Sequence, residues 1–212
     1  MKPVQILIIG AGNRGNTYAS YSKSFPNEME IVSVAEPNDL TRNLFADEYK
    51  LDSSNCFNSW EEALNIERLA DAVIICTQDQ MHVKPALAAL KLDYHVLLEK
   101  PMATSEDDCR KLAEAGFNIN KIFGLCHVLR FTSHYAKMKE IIDTGLIGDI
   151  VSIEHLEPVN YWHMAHSYVR GNWRKLEESS PMILAKSCHD LDLLRWFARS
   201  EERRVGKEGR SR

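Results

Sequence analysis

The feature that most constrains this chain is a junction near its amino terminus. The apolar run Val4 to Ile9 passes directly into Gly10-Ala11-Gly12-Asn13-Arg14-Gly15, and a helical stretch follows. A near-continuous apolar run suits a strand covered on both faces, as in parallel sheets. Glycines at such a junction permit a tight turn and the close approach of another group to the backbone. Four more runs, Ile31 to Ala35, Ala72 to Cys76, His95 to Leu98 and Ile122 to Leu125, repeat the strand pattern, with amphipathic stretches between them. Ser59 with Glu62 forms a capping box. Thr104 or Ser105 precedes an acidic first turn at Glu106, Asp107 and Asp108, and Pro85 sits near the start of another helix. The expected fold is therefore α/β, a doubly wound parallel sheet of Rossmann type.

The pattern changes after Leu125. A helix carrying Tyr135, Met138, Ile141 and Ile142 is expected to end at Gly145, and Ile150 to Glu157 alternates like a half-exposed strand. Asn160 to Lys175 has no clear periodicity and reads as a long binding loop. A last helix is expected over Ser187 to Ala198, with His189, Asp192 and Trp196 on one face. The division is then a nucleotide-binding domain over 1–125, the incomplete start of an α/β open-sheet domain over 126–198, and a disordered or artefactual tail over 199–212. That tail has only Val205 as an aliphatic side chain and follows abruptly on an apolar helix, so the end reads as truncated.

Composition narrows the chemistry. Twenty-six Lys and Arg against 30 Asp and Glu give a net charge of -4, with no polyelectrolyte signature for nucleic acid, so a small-molecule partner is expected. The apolar runs fall far short of the roughly 18 to 20 residues that cross a bilayer. The opening run leads into a glycine turn rather than a cleavage site, and a cytoplasmic chain is expected. Five cysteines without a CxxC pair read as reduced and mostly structural.

The glycine turn gains meaning from Glu36. It ends the second strand, 24 residues beyond Gly12, where a carboxylate can accept hydrogen bonds from both ribose hydroxyls of NAD. Gly10, Gly12, Asn13, Arg14, Gly15 and Glu36 are the candidate cofactor residues of this part. The carboxylate repels the extra phosphate of NADP, although Arg14 and Arg42 leave some tolerance for it. Two further clusters follow strands, Thr77, Asp79 and His82 in CTQDQMH, and Glu99, Lys100 and Pro101 in EKP. Ligands of open parallel sheets bind outside the carboxyl ends of strands, so both clusters are placed for a cofactor. Helix capping at Asp79 and His82, and a solvated loop lysine at 100, are the competing readings. Pro101 raises the chance of a cis peptide.

GAGNRG, Glu36, CTQDQMH and EKP in this order resemble the glucose-fructose oxidoreductase, inositol dehydrogenase and rhizopine-catabolism (Gfo/Idh/MocA) family of NAD(P)-dependent oxidoreductases, over about residues 4 to 198. The resemblance implies a Rossmann domain followed by an open-sheet domain used for oligomer contacts. It implies hydride transfer between NAD(P) and a secondary alcohol of a sugar or cyclitol. By the same resemblance Lys100 lies beside the nicotinamide, and Thr77, Asp79, His82 and Glu99 line the cofactor site. PMILAKSCHDLDLLRW stands where the family carries an Asp, three residues and a catalytic His. His189 takes the histidine position, but Ala185 replaces the Asp, with Lys186 next to it. Asp192 is one turn away and could orient His189 instead. His189 is the expected base and Lys100 its partner, with a structural histidine as the competing reading.

Tyr161, Trp162, His163, His166, Arg170, Trp173 and Arg174, together with Lys186, His127 and Arg130, are candidate contacts to a polyhydroxylated or carboxylated substrate. No metal is expected. Two other readings stay open: a catalytically incompetent NAD-binding fragment, and an enzyme that uses NAD transiently without net redox.

Overall fold

The computed structural model describes residues 2–177 and 179–198, so the expected tail at 199–212 lies outside the described residues. The chain divides into two compact units, Met1–Cys126 and His127 onward. In the first, six strands form one parallel sheet in the order β3-β2-β1-β4-β5-β6. They are β1 Val4–Ile9, β2 Met29–Ala35, β3 Cys56–Phe57, β4 Ala72–Ile75, β5 His95–Leu98 and β6 Phe123–Leu125. Five match the apolar runs. The sixth, β3, is two residues long, too short to show a period, and exists because it pairs with Val34 and Ala35 at the sheet edge.

Successive β1 residues point to opposite faces and feed separate cores. Leu7 and Ile9 join Val73, Ile75, Val96 and Leu98 on one face. There they meet Ala63 and Leu64 of α4 (Trp60–Leu64), Ala86, Ala89 and Leu90 of α5 (Val83–Lys91) and Leu112 of α6 (Glu106–Phe117). Ile6 and Ile8 join Ile31, Val34 and Ile74 on the other, under Ala19 of α1 (Asn13–Ala19), which the short α2 (Tyr21–Ser24) follows, and Phe45 of α3 (Asp39–Tyr49). Each fully buried aliphatic side chain of this kind contributes about 1.5–3 kcal/mol. The expected caps form, with Ser59 Oγ accepting from Glu62 N–H and Ser105 Oγ from Asp108 N–H, both at 3.2 Å.

The strand order reverses about β1, which pairs with β2 on one side and β4 on the other. This crossover places a crevice at the carboxyl ends of β1 and β4.

The second unit departs from expectation in three places. The alternating run Ile150 to Glu157 is not a strand: residues 151–160 have no regular structure, and Val151 is 98% exposed. Alternation makes a strand only where a neighbour supplies the other half of the hydrogen-bond ladder, and none does among the described residues. Asn160 to Lys175 is not all loop, because a short helix, α8 (Tyr161–His163), runs into a π-helical segment, Met164–Val169. Its wider turn, with Arg170 N–H donating to Ala165 O, escapes a search at the α-helical period. The last helix, α9, spans Met182–Phe197 and starts directly after Pro181, a residue tolerated at a helix entrance. The helix α7 (Ser133–Asp143) ends as expected, with Gly145 at φ +73°.

Candidate active site

Two of the three glycines are fixed by the chain's own packing. Gly10 has φ +91°, and a Cβ there would lie 2.8 Å from the carbonyl carbon of Cys76. A Cβ on Gly15 would stand 2.1 Å from Gly10 O, so α1 could not pack so closely on β1. At Gly12 a Cβ would meet nothing within 4 Å, which leaves the turn open on that side.

Glu36 follows β2 and folds back over this turn. Its Oε2 accepts from Ala11 N–H at 2.9 Å and its Oε1 from Asn38 N–H at 3.0 Å. Two backbone donors thus hold the carboxylate where ribose hydroxyls would reach its remaining lone pairs. Arg42 is engaged with the Glu36 carbonyl and Asp39, each at 2.6 Å, and Arg14 has its Nε 3.5 Å from Glu99 Oε1. Both arginines are therefore occupied beside the acidic groups. Asn13 is exposed in the first turn of α1.

The loops after β4 and β5 meet through one imidazole. His82 is fully buried, with Nδ1 2.7 Å from Pro101 O and Nε2 3.1 Å from Thr77 O. His82, expected to line the cofactor site, sits fully buried between the two loops. Both ring nitrogens face carbonyl oxygens and no surface is left for a ligand, so the ring ties the two loops together. Thr77 Oγ1 is buried and has no hydrogen-bond partner among the described residues. Such a hydroxyl costs free energy unless something polar meets it, and it stands just beyond the end of β4. Asp79 is buried in a short 3-10 turn, Asp79–Met81.

Glu99 is 5% exposed. Its Oε1 accepts from Tyr18 OH and its Oε2 from Lys100 N–H, both at 2.8 Å. The Lys100–Pro101 peptide is cis. Tyr18 was not among the sequence candidates. Its signal is weak, a hydrogen-bonding aromatic four residues after Arg14 on the same helix face. The open glycine turn, the held carboxylate of Glu36 and the orphaned Thr77 hydroxyl together fit an adenine dinucleotide.

In the second unit Arg130 is bound by Asp192 in a bidentate pair, Nε to Oδ2 at 2.7 Å and Nη2 to Oδ1 at 2.6 Å, and its guanidinium lies 5.5 Å from the Trp196 ring centroid. This pairing holds Arg130, a candidate substrate contact, within the unit, with each Asp192 oxygen accepting from it. The His127 and His189 rings meet edge to face at 6.0 Å between centroids, and His127 Nε2 is 3.8 Å from Asp192. Burial, aided by Arg130, holds the His127 imidazole below its ordinary pKa, against the opposing pull of Asp192.

A second polar group was legible in the sequence only at Lys186. His155 Nε2 is 2.9 Å from Asp190 Oδ1, and Lys186 Nζ is 3.5 Å from Glu157 Oε1. His155 and Glu157 are two apart, on one side of an extended segment, and this was the available signal. Tyr161, His166, Arg170 and Arg174 are exposed, and Trp173 is half-buried with its ring 6.4 Å from that of Tyr168. The turn beside them is tight, since a Cβ on Gly171 would lie 2.4 Å from His166 O.

Comparison with known proteins agrees with the geometry. Residues 4–125 match the oxidoreductase family with an NAD-binding Rossmann fold, and residues 135–212 match the GFO/IDH/MocA C-terminal domain. The chain is 29% identical over 189 residues to 2,7-anhydro-N-acetylneuraminate hydratase of Escherichia coli, covering 87% of this chain and 47% of that protein. It is 24% identical over 200 residues to inositol 2-dehydrogenase of Salmonella typhimurium, covering 93% and 55%. Scyllo-inositol dehydrogenase from Lactobacillus casei, solved with NAD(H) and scyllo-inositol, superposes with a TM-score of 0.79 at 24% identity, covering 92% of this chain and 56% of that one. The chain spans about half the length of these relatives. With more than half of its residues matching the family's nucleotide-binding domain around a glycine turn and a held carboxylate, the chain belongs to the GFO/IDH/MocA oxidoreductase family.

Proposed function

We propose that this chain binds NAD in preference to NADP and serves hydride transfer to or from a secondary alcohol of a sugar-like or cyclitol-like substrate. The observation that carries the reading is the Glu36 carboxylate, fixed over the glycine turn by Ala11 and Asn38 N–H. A fixed negative charge there favours ribose hydroxyls and opposes a 2′-phosphate. When bound, NAD supplies the hydride acceptor. Among this chain's residues, Lys100 is assigned the substrate's hydroxyl oxygen and His189 the hydroxyl proton, a step for which a neutral imidazole is suited. Tyr161, His166, Arg170, Trp173, Arg174 and Lys186 supply polar and aromatic surface for the substrate. The five cysteines are free thiols, which supports a reducing, cytoplasmic setting, and among the described residues no helix is long and apolar enough to cross a membrane.

The test is fluorescence titration with NADH and NADPH. Saturable NADH binding that weakens roughly tenfold or more in Glu36→Ala, while NADPH binding improves, supports the reading. Equal affinity of the unaltered chain for both cofactors would sink the NAD preference. Lys100→Ala and His189→Ala are then assayed against a polyol and sugar panel, and unchanged turnover in either removes its assignment.

A second reading is favoured by one observation: the relative at 29% identity is named a hydratase, a class of reaction with no net redox. Substrate loss without accumulation of NADH absorbance would select transient oxidation over a simple dehydrogenase.

A further inference from the structure

The helix after the glycine turn and the loop that carries Lys100 are joined by a short polar relay. Arg14 and Tyr18 lie four residues apart on α1 and converge on one oxygen of Glu99, at 3.5 and 2.8 Å. The other oxygen of Glu99 accepts the Lys100 backbone N–H at 2.8 Å. Glu99 N–H continues the sheet ladder to Ile75 O at 2.9 Å, so its backbone is fixed and only the carboxylate's surroundings are adjustable. We propose that Tyr18 is a positioning residue for Lys100, acting through the buried Glu99 carboxylate and linking the nucleotide-turn helix to the EKP loop.

The chemistry suits the task. A carboxylate that is 5% exposed has lost most of its water and depends on protein donors to replace those hydrogen bonds. Three reach it: a phenol, a guanidinium that is half exposed, and an amide. The phenol is the rigid member, since a ring on a helix has few rotamers whereas Arg14 is long and half in solvent. Burial, together with Cys126 and Glu99, pushes the Tyr18 phenol well above its ordinary pKa, so it stays protonated and remains a donor. The neighbouring Cys126 thiol is itself pushed up to about 11 by burial and stays neutral, adding no competing charge. Without the Tyr18 hydroxyl, Glu99 loses its rigid donor and its hold on the Lys100 amide relaxes.

The inference rests on the role given to Lys100 above, and its test is read without turnover. Lysine reactivity toward a trace amine acylating reagent is measured by mass spectrometry from pH 7 to 11 in the cofactor-free chain, for the unaltered protein, Tyr18→Phe and Glu99→Gln. Exposed Lys84 and Lys91 on α5 serve as internal references. Lys100 is expected to label at least about threefold faster in Tyr18→Phe, as the loop that carries it opens more often, with Glu99→Gln moving the same way. Unchanged Lys100 labelling in both variants overturns the proposal. So does a rise shared equally by Lys84 and Lys91, which would mark general loosening. NADH titration of the same samples separates the two readings. Absence of NADH binding by the unaltered chain defeats the cofactor assignment, while the labelling result still stands or falls by itself.

Discussion

The two units of this molecule are held together by different physics. In the first, Leu7, Ile8, Ile75 and Leu98 are entirely buried on one or other face of a continuous parallel sheet. In the second, the described buried apolar residues are Ala185, Leu193 and Phe197, while partly buried polar contacts include Arg130 with Asp192 and His155 with Asp190. Burial of apolar surface is non-directional and tolerates small shifts, whereas a bidentate ion pair works only at one geometry. The first unit can therefore present a preformed turn for a nucleotide on a rigid support. The second holds its histidines by specific pairing.

The largest expected effect comes from the apolar side of this contrast. Leu7→Ala should cost about 3 kcal/mol, within the range for buried leucines, and lower the urea midpoint of the first unit. A cost below about 1 kcal/mol would mean that the sheet core is looser than its burial indicates. Next is Asp192→Asn, which replaces the bidentate carboxylate facing the partly buried Arg130 guanidinium with a neutral amide and should cost roughly 1–3 kcal/mol. Amide exchange should then quicken in α9 while α5 keeps its protection. Equal loosening of both helices would break the comparison, because the units would not be separately stabilised.

The smallest effect concerns pH. The pKa of His127 is depressed by folding, so the unfolded chain binds a proton more readily than the folded one. The stability it contributes is complete above the ordinary histidine pKa, about 6.5, and declines as pH falls through that value toward the folded pKa. Thermal unfolding of the second unit between pH 8 and 5 should show this fall, and His127→Gln should flatten it. An unaltered slope in the variant assigns the effect to another group.

Much of the first unit was legible because its signals are local. Val4 to Ile9, the three glycines and Glu36 each announce themselves within a few residues, and a parallel strand buried on both faces leaves an unbroken apolar run. The edge strand Cys56–Phe57 was not legible, since two residues carry no period. His82 was legible as a residue after β4, but its structural partners were not. Its position after β4 is local information, whereas its complete burial between the carbonyls of Thr77 and Pro101 depends on a loop nearly twenty residues away. Tyr18 was missed for the same reason, as its partner Glu99 is 81 residues distant.

In the second unit the run Ile150 to Glu157 shows the reverse failure, a correct local pattern without the neighbour that would make it a strand. The amino-acid order alone settled the parallel α/β architecture, the glycine turn and the acidic residue beside it, because steric freedom and apolar periodicity act over short stretches of chain. The pairing of Arg130 with Asp192, the burial of His82 and the relay from Tyr18 to Lys100 were settled by folding, because a hydrogen bond depends on distance in space and a sequence records only distance along the chain.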